Sequence, residues 1–374
     1  MSTPTVARDG LDPLLAEVGG AAARSWLGQT LADLGAAVRF DGFTVPSVPE
    51  VYAAPVADWH DGATPRRLEF GRDLALHMAS AEQPLVQRGE TALVGAGDQG
   101  GRWLLVPEPM SLFEAYGRAG GALGLLISRA VDGDGWHYTM LAGSAPGPRP
   151  VLVLAPDIHD AMPRGGGSLA ATAPIRRLDA SAGNVHARWG GATPEILLTA
   201  HYDGVGDLPG LRQPSAADNA SGVAVVMEAA RILAPVLPGL AVALLDAEEA
   251  GALGSARHAG RLRADRAAPL VINVDGAGVR REAAAVEAGG PAHRLLAALD
   301  QAGRHTGLPL AAGPVASDNR RYAAAGLAAV GVGAGMGGYH SPSDTPDRVE
   351  AATLQAVAKL VVATAWLAAI GSCE

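Results

Sequence analysis

The segment EILLTAHYDG, residues Glu195–Gly204, is an apolar run that ends abruptly in polar side chains. Its apolar part shows no alternation of polar and apolar residues, which indicates a strand buried on both faces. Three later segments have the same form: GLAVALLDAEE (Gly239–Glu249), PLVINVDGAG (Pro269–Gly278) and LAAVGVGAG (Leu327–Gly335). Segments with helical spacing separate them, at residues 221–233 and 291–303, and another follows at 352–370. This alternation predicts an α/β fold with a mostly parallel mixed sheet sandwiched by helices.

The length of the chain predicts more than one structural unit. Its 374 residues exceed the roughly 100–200 residues of a typical domain. Residues 14–38 carry apolar side chains at helical spacing and predict an amphipathic helix. Residues 45–178 consist mainly of short strand-like runs with one helical segment. We therefore assign residues 1–44 to the amino-terminal helical part of the main domain, 45–178 to an inserted smaller α+β domain rich in strands, and 179–374 to the main domain.

The composition excludes several classes of protein. Hydrophobic residues make up 48% of the chain and charged residues 18%, which is not the composition of a disordered protein. A net charge of −9 leaves no basic stripe to bind phosphate groups, so nucleic acid is not an expected partner. No apolar run reaches the roughly 20 residues of a membrane helix, so no membrane partner is expected either. The amino end lacks a basic stretch followed by an apolar one, and we expect a cytoplasmic protein.

Five polar residues at one edge of the predicted sheet form a candidate metal site. Four of them, His201, Glu249, Asp275 and His340, follow predicted strands. In sheets of this type the carboxyl ends of the strands meet at one rim, where ligands bind. The fifth, Asp218, directly precedes a helix, where a single carboxylate would also serve as a helix cap.

Taken singly, each of these residues has a structural interpretation, because histidines and carboxylates at strand ends commonly form hydrogen bonds within loops. Taken together, two imidazoles and three carboxylates are the ligand mixture that zinc accepts. Five ligands are too many for one tetrahedral ion but suit two ions that share a bridging carboxylate. Without cations, the repulsion and desolvation of the clustered carboxylates would be strongly destabilising. The sequence therefore predicts a site for two zinc ions per chain.

Two neighbours of these residues are candidates for supporting roles. Glu248 and Glu249 are adjacent just past a strand, so their side chains diverge and can serve different purposes. Glu249 can bind metal while Glu248 accepts and donates protons during hydrolysis. Asp203 lies two residues from His201 and is a candidate to hold the second nitrogen of that imidazole.

These residues resemble the signature of a known family. The motifs that carry the likeness are His201-Tyr202-Asp203, Ala217–Gly222 (ADNASG), Glu248-Glu249 with Gly254-Ser255, Val274-Asp275, Ser317-Asp318, and Tyr339-His340-Ser341 with Asp344-Thr345. In order and placement they are similar to those of the co-catalytic zinc exopeptidases. This is the metallopeptidase family of aminopeptidase Y, the Streptomyces and Vibrio aminopeptidases and glutamate carboxypeptidase II. The likeness spans residues 184–350.

The resemblance implies how two zinc ions are held. His201 and Asp275 bind the first ion, and Glu249 and His340 bind the second. Asp218 bridges the two ions, through a cis peptide bond to the residue that follows it.

The same resemblance implies the activity. Glu248 acts as general base and acid, and Tyr339 is a candidate to stabilise the oxyanion of the tetrahedral intermediate. A tyrosine that only packs at the rim is the alternative for Tyr339. The implied enzyme is a metal-dependent exopeptidase, an aminopeptidase that hydrolyses the amino-terminal residues of peptides. A carboxypeptidase, a dipeptidase or a glutaminyl cyclase of the same fold needs similar ligands and stays open, as does a non-catalytic, receptor-like binding protein.

The likeness extends, with weaker motifs, to residues 45–178, which are similar to the protease-associated insert of some family members. A lid that shapes substrate binding and a plain scaffold are both open for this insert. Two departures from the family pattern concern substrate preference, since the loop 204–217 is longer than usual and Asn319 replaces a histidine often found after Ser-Asp. The glycines at 333–338 fit a dinucleotide-binding pattern, but they lead into a turn rather than a helix, so no nucleotide cofactor is expected.

Overall fold

A computed structural model of the protein describes residues 21–61, 65–141, 145–162, 167–191 and 193–371. The helices span Ala21–Asp33 (α1), Leu112–Arg118 (α2), Pro156–Ala161 (α3), Ser221–Leu233 (α4), Leu253–Ala264 (α5), His293–Thr306 (α6), Asn319–Ala324 (α7) and Ala351–Ile370 (α8). The strands span Ala37–Val51 (β1), Ala57–His60 (β2), Pro65–Arg67 (β3), Leu74–Leu76 (β4), Gln83–Leu93 (β5), Trp103–Leu105 (β6), Gly124–Ser128 (β7), Val151–Leu154 (β8), Ser168–Ala173 (β9), Ile175–Arg188 (β10), Ile196–His201 (β11), Leu240–Leu245 (β12), Leu270–Val274 (β13), Ala284–Gly289 (β14), Leu310–Ala312 (β15) and Ala329–Gly333 (β16).

The first of two eight-stranded sheets has the order β1-β10-β12-β11-β13-β16-β14-β15. Its central strands β12, β11, β13 and β16 run parallel to one another. On β11, Ile196, Leu198 and Ala200 belong to one hydrophobic core and Leu197 to another, because successive side chains point to opposite faces. Helices α1, α4, α6 and α8 contribute to the first core, and α5 and α7 to the second. The sheet is therefore covered on both faces, which confirms the predicted α/β class.

Strands β1 and β10 form a long antiparallel ladder at the edge of this sheet. Pairing runs from Ala37 opposite Arg188 to Val51 opposite Ile175, with a register shift between Val45 and Val48. The ladder thus includes residues 45 and 178, the predicted limits of the insert. The sequence predicted a helix over residues 14–38, of which residues 14–20 lie outside the described part of the chain. In the described part, helix α1 ends at Asp33, shortly before Gly35, which has a φ of 81°.

The chain between β1 and β10 builds the second sheet, and we call this segment, residues 52–174, the inserted module. Its strand order is β3-β2-β9-β5-β6-β7-β8-β4. Helix α2, predicted from the sequence, begins after Ser111, whose hydroxyl accepts a hydrogen bond from the N–H of Glu114 while the Glu114 carboxylate accepts one from the N–H of Ser111. This capping box satisfies two free amides at the start of the helix. Trp103, which is fully buried, belongs to a core built within the module.

Helix α8 is long and apolar enough, by length and composition, to cross a membrane. The expectation that no segment reaches this length therefore needs correction: Gln355 and Lys359 interrupt the apolar run, yet the mean hydropathy of its 18-residue window is still 1.6. More than half of that window, 56%, is buried inside the protein, where α8 packs against α4 and α6. A core helix of a globular protein has the same composition.

Candidate metal centre

All five candidate ligands lie at the carboxyl edge of the first sheet. His201 is the last residue of β11, Asp275 directly follows β13, and Glu249 lies in the loop after β12. Asp218 lies in an irregular turn, Ala216–Ala220, that leads into α4, and its own backbone dihedral angles are not helical. The five side chains are buried, with exposed fractions between 1% and 7%. The structure therefore brings together residues that are up to 139 positions apart in the sequence, from His201 to His340.

These side chains form two groups that share one carboxylate. In the first group, Nε2 of His201 lies 3.2 Å from Oδ1 of Asp218 and 3.4 Å from Oδ2 of Asp275. In the second, Nε2 of His340 lies 3.2 Å from Oδ2 of Asp218 and 2.9 Å from Oε2 of Glu249. The donor atoms of each group lie within 4.8 Å of one another. Asp218 thus presents one oxygen to each group, which is the geometry of a bridging ligand.

The hydrogen bonding of the donor atoms indicates whether the site suits metal ions. Three buried atoms, Nε2 of His201, Oε1 of Glu249 and Oδ1 of Asp275, have no hydrogen-bond partner among the described residues. A buried polar atom without a partner is costly, and such atoms call for an explanation. Imidazole nitrogens and carboxylate oxygens are the ligands of catalytic zinc sites. The residues present therefore fit a pair of zinc ions.

The backbone around Asp218 is held on both sides. The carboxylate of Asp344 accepts hydrogen bonds from the N–H groups of Ala217 (2.6 Å) and Asp218 (3.0 Å). The peptide bond that joins Asp218 to Asn219 is cis, and the Asn219 side chain donates to the carbonyl of Val274 at 3.0 Å. Asp344 belongs to a motif quoted above, but no role was predicted for it. Its signal in the sequence is an acidic residue four positions after His340, in a turn rich in serine.

Asp203 occupies the position that the sequence predicted and makes further contacts. Its Oδ1 lies 3.5 Å from Nδ1 of His201, and its own carbonyl lies 3.2 Å from the same nitrogen. Its two carboxylate oxygens also accept hydrogen bonds from the N–H groups of Glu248 and Glu249, each at 3.1 Å. One side chain therefore connects a histidine on β11 with the loop after β12.

Glu248 lies in a strongly acidic, largely buried environment. Burial, together with the negative charges of Asp318, Asp275 and Glu249, raises the pKa of Glu248 to about 9 against the opposing charge of His201. Bound cations would favour the carboxylate and lower this pKa. A carboxyl group whose charged form is disfavoured by burial is a better proton acceptor than an exposed one, as a general base requires.

Asp318 is a buried acidic residue of the Ser317-Asp318 motif, for which the sequence predicted no role. It is fully buried, and neither of its carboxylate oxygens has a hydrogen-bond partner among the described residues. Burial raises its pKa to about 7. The two arginines that follow have partners of their own, since Arg320 forms an ion pair with Glu287 at 2.7 Å and Arg321 donates to the carbonyl of Gly251 at 2.6 Å.

Tyr339 lies at the rim of the site beside His340. The two rings are stacked, with centroids 3.7 Å apart and planes inclined by 20°, and 39% of Tyr339 is exposed. Burial, followed by the charges of Asp218 and Glu249, raises the pKa of Tyr339 above its ordinary value. The hydroxyl therefore stays protonated at neutral pH, as an oxyanion donor must. That role stays a prediction.

The sequence signature of peptidase family M28 matches residues 184–365. That range contains all five candidate ligands and Glu248. Residues 184–365 therefore form a domain of peptidase family M28. The protein is thus a metallopeptidase, and its M28 domain contains the centre described above.

Solved structures share the fold of the M28 domain and of the inserted module together. A zinc aminopeptidase from Bacillus subtilis matches with a TM-score of 0.72 and 19% identity over 98% of this chain and 96% of its own. An aminopeptidase from Aneurinibacillus sp. strain AM-1 gives 0.71 and 20% over 97% and 93%. A peptidase M28 precursor from Shewanella amazonensis SB2B gives 0.70 and 20% over 97% and 92%. No curated protein sequence matches this chain significantly.

Proposed function

We propose that this protein is a two-zinc aminopeptidase that removes amino-terminal residues from peptides. The observation that carries the proposal is the position of Asp218, whose two oxygens face separate groups of buried ligands. Membership of a peptidase family supports hydrolysis of peptide bonds. Two of the solved structures with the same fold are described as aminopeptidases, and one of them as a zinc enzyme.

The chain's own residues supply positioning and proton transfer. Zinc, when bound at such a site, supplies polarisation of the scissile carbonyl and activation of water. Glu248 accepts the proton of the attacking water and returns it to the leaving amine. Asp203 holds the backbone of Glu248 at 3.1 Å and so fixes where that proton is taken up. The free amino group of the substrate is held against the carboxylates of the metal centre.

The test is mass spectrometry of a mixed pool of short peptides incubated with the zinc-loaded protein, with a chelator-treated sample in parallel. We expect stepwise loss of amino-terminal residues that the chelator abolishes. The Glu248→Gln variant, prepared in the same way, controls for contaminating peptidases.

Other outcomes would assign the site differently. Loss of carboxy-terminal residues, cleavage of dipeptides alone, or loss of ammonia from amino-terminal glutamine would replace the aminopeptidase with a carboxypeptidase, a dipeptidase or a glutaminyl cyclase. No change in any peptide would favour a receptor-like binding protein.

A further inference from the structure

A turn of the inserted module lies against the loop that carries His340. We call residues 132–140, between β7 and β8, the insert turn, and residues 338–348, between β16 and α8, the histidine loop. Within the insert turn, Oδ1 of Asp132 accepts hydrogen bonds from the N–H groups of Asp134 and Trp136, both at 2.9 Å. An aspartate that binds its own downstream amides stabilises a turn locally. The insert turn therefore has a defined shape of its own.

Two side-chain hydrogen bonds join the insert turn to the histidine loop. The hydroxyl of Ser341 donates to Oδ2 of Asp132 at 2.6 Å, and that of Ser343 donates to Oδ2 of Asp134 at 2.7 Å. Arg348 adds an ion pair with Asp134 at 2.6 Å. The two serines are buried, with exposed fractions of 1% and 4%, and hydrogen bonds to carboxylates are stronger than those between neutral groups.

Two further contacts of the insert turn reach His340 itself. The N–H of Thr139 donates to the carbonyl of His340 at 2.8 Å. The sulfur of Met140 lies 3.2 Å from Nδ1 of His340, whereas Nδ1 of His201 faces the oxygens of Asp203. A thioether is a weak acceptor compared with a carboxylate or a carbonyl. The orientation of the His340 ring therefore depends more on its backbone than that of His201 does.

The backbone of His340 needs support from its surroundings. Its φ is 53°, in the left-handed region that is unfavourable for residues other than glycine. Such a conformation persists only where neighbouring contacts hold it. The histidine loop also carries Asp344, which binds the N–H of Asp218. One loop thus places the second histidine and orients the shared carboxylate.

We propose that the insert turn is a positioning element of the zinc centre. Asp132 and Asp134 fix the histidine loop, so that His340 stays in place for the zinc ion that it shares with Glu249. This inference rests on the metal centre of the proposed function but not on the choice of peptide substrate. The inserted module is then part of the scaffold of the site, in addition to any effect on access.

The test compares zinc release from three proteins in the absence of substrate. Each is loaded with two zinc ions and mixed with a chromogenic chelator. The Asp132→Ala/Asp134→Ala variant lacks both serine–aspartate hydrogen bonds and the ion pair with Arg348, and keeps the contacts of Thr139 and Met140 with His340. The matched control is Asp98→Ala, since Asp98 accepts a hydrogen bond from the N–H of Gly100 at 3.0 Å in another turn of the same module. We expect the control to match the wild type and the double variant to release one ion about 10–100-fold faster, as when a supporting contact of a ligand is lost.

Several outcomes would overturn the proposal. Unchanged release from the double variant would do so, and equal acceleration of both ions would indicate general loosening of the fold instead. If the double variant does not fold, the Ser343→Ala variant removes one of the same links from the histidine loop, and unchanged release there counts equally against the proposal. Asp132→Asn keeps one oxygen to accept from the turn amides, and its NH2 can donate to the Ser341 hydroxyl oxygen, which still donates to the carbonyl of Gly338. We expect this single variant to release zinc about as slowly as the wild type. Failure of the wild type to bind two zinc ions would instead reject the metal centre of the proposed function.

Discussion

Asp203 binds the backbone N–H of Glu248 at 3.1 Å while its carboxylate also lies 3.5 Å from Nδ1 of His201. The side chain is buried, with 8% of the residue exposed, so water does not compete effectively for these contacts. The residue proposed for proton transfer and a histidine proposed for metal binding are therefore positioned by the same group.

Replacing Asp203 by alanine should impair both zinc binding through His201 and proton transfer through Glu248. Loss of the carboxylate removes one of the two oxygens that face Nδ1 of His201 and leaves two backbone amides without their acceptor, and we expect zinc affinity to fall about 10–100-fold. Competition titration against a chelator of known affinity measures this. The Asp203→Asn variant keeps one acceptor oxygen and should lie between the alanine variant and the wild type. Wild-type zinc affinity in Asp203→Ala would show that His201 is held by other contacts.

Glu248→Gln should separate catalysis from metal binding. The amide has nearly the shape of the carboxyl group but accepts no proton, so we expect turnover to fall about 10²–10⁴-fold. Two zinc ions should still bind, and the melting temperature should stay close to that of the wild type. Metal analysis and peptide hydrolysis assays on the same preparation measure both. Near-wild-type turnover would remove Glu248 from its role.

The stability of the metal-free protein should fall as the pH rises from about 4.5 to about 9. Burial raises the pKa of Glu249 to about 7 and is the main cause that raises that of Glu248 to about 9, from an ordinary value of 4.5. A carboxyl group with a raised pKa in the folded state stabilises the fold fully below its ordinary pKa, and this contribution is lost as the pH rises through the folded-state pKa.

Zinc should reverse this trend. Its ligands bind as carboxylates and neutral imidazoles, so binding releases protons and strengthens with pH. We expect the gap in melting temperature between zinc-loaded and metal-free protein to widen over the same range, measured by calorimetry at constant ionic strength. The metal-free Glu248→Gln variant should show a smaller decline. A metal-free melting temperature that stays level or rises with pH would contradict the assignment of these shifts.

Gly222→Ala should be destabilising for steric reasons. A methyl group at this position of α4 would overlap Oδ1 of Asn219 and the carbonyl oxygen of Val274. Such overpacking costs about 1–3 kcal/mol, and it would displace the backbone beside Asp218. Chemical denaturation measures the loss, and zinc titration measures its effect on the centre.

A second helical glycine offers the matched control. A methyl group at Gly260 of α5 would meet no heavy atom within 4 Å. Because alanine has the higher helix propensity, Gly260→Ala should be neutral or stabilising by up to about 1 kcal/mol. Equal effects at both positions would mean that crowding around Asn219 is not the cause.

The sequence predicted the sheet edge and its polar residues well, because each carried a strong local signal. Strands β11, β12, β13 and β16 are continuous apolar runs, and the residues after them converge because parallel strands end on one side. Asp218 was ambiguous between a helix cap and a ligand. In the structure α4 begins after Ala220 without any side-chain cap, and Asp218 faces two histidines instead.

Other elements had no comparable signal. Strand β14, with the sequence AAVEAG, fits a helix as readily as a strand, and β15 has only three residues. Strand β1 contains Pro46 and Pro49, and proline usually argues against a strand, but β1 is an edge strand, where proline is tolerated. The hydrogen bonds between the insert turn and the histidine loop join residues 209 positions apart, so no local pattern encodes them.

The ladder between β1 and β10 determines how the second sheet is attached. Val51 pairs with Ile175, and the N–H of Tyr52 donates to the carbonyl of Pro174 at 3.1 Å, so the chain leaves and rejoins the first sheet at neighbouring positions. Antiparallel neighbours of this kind are normally closed by a turn of about two to five residues. An ancestral or engineered protein could therefore gain or lose the whole of residues 52–174 by exchanging one hairpin turn, without any new strand pairing in the peptidase sheet.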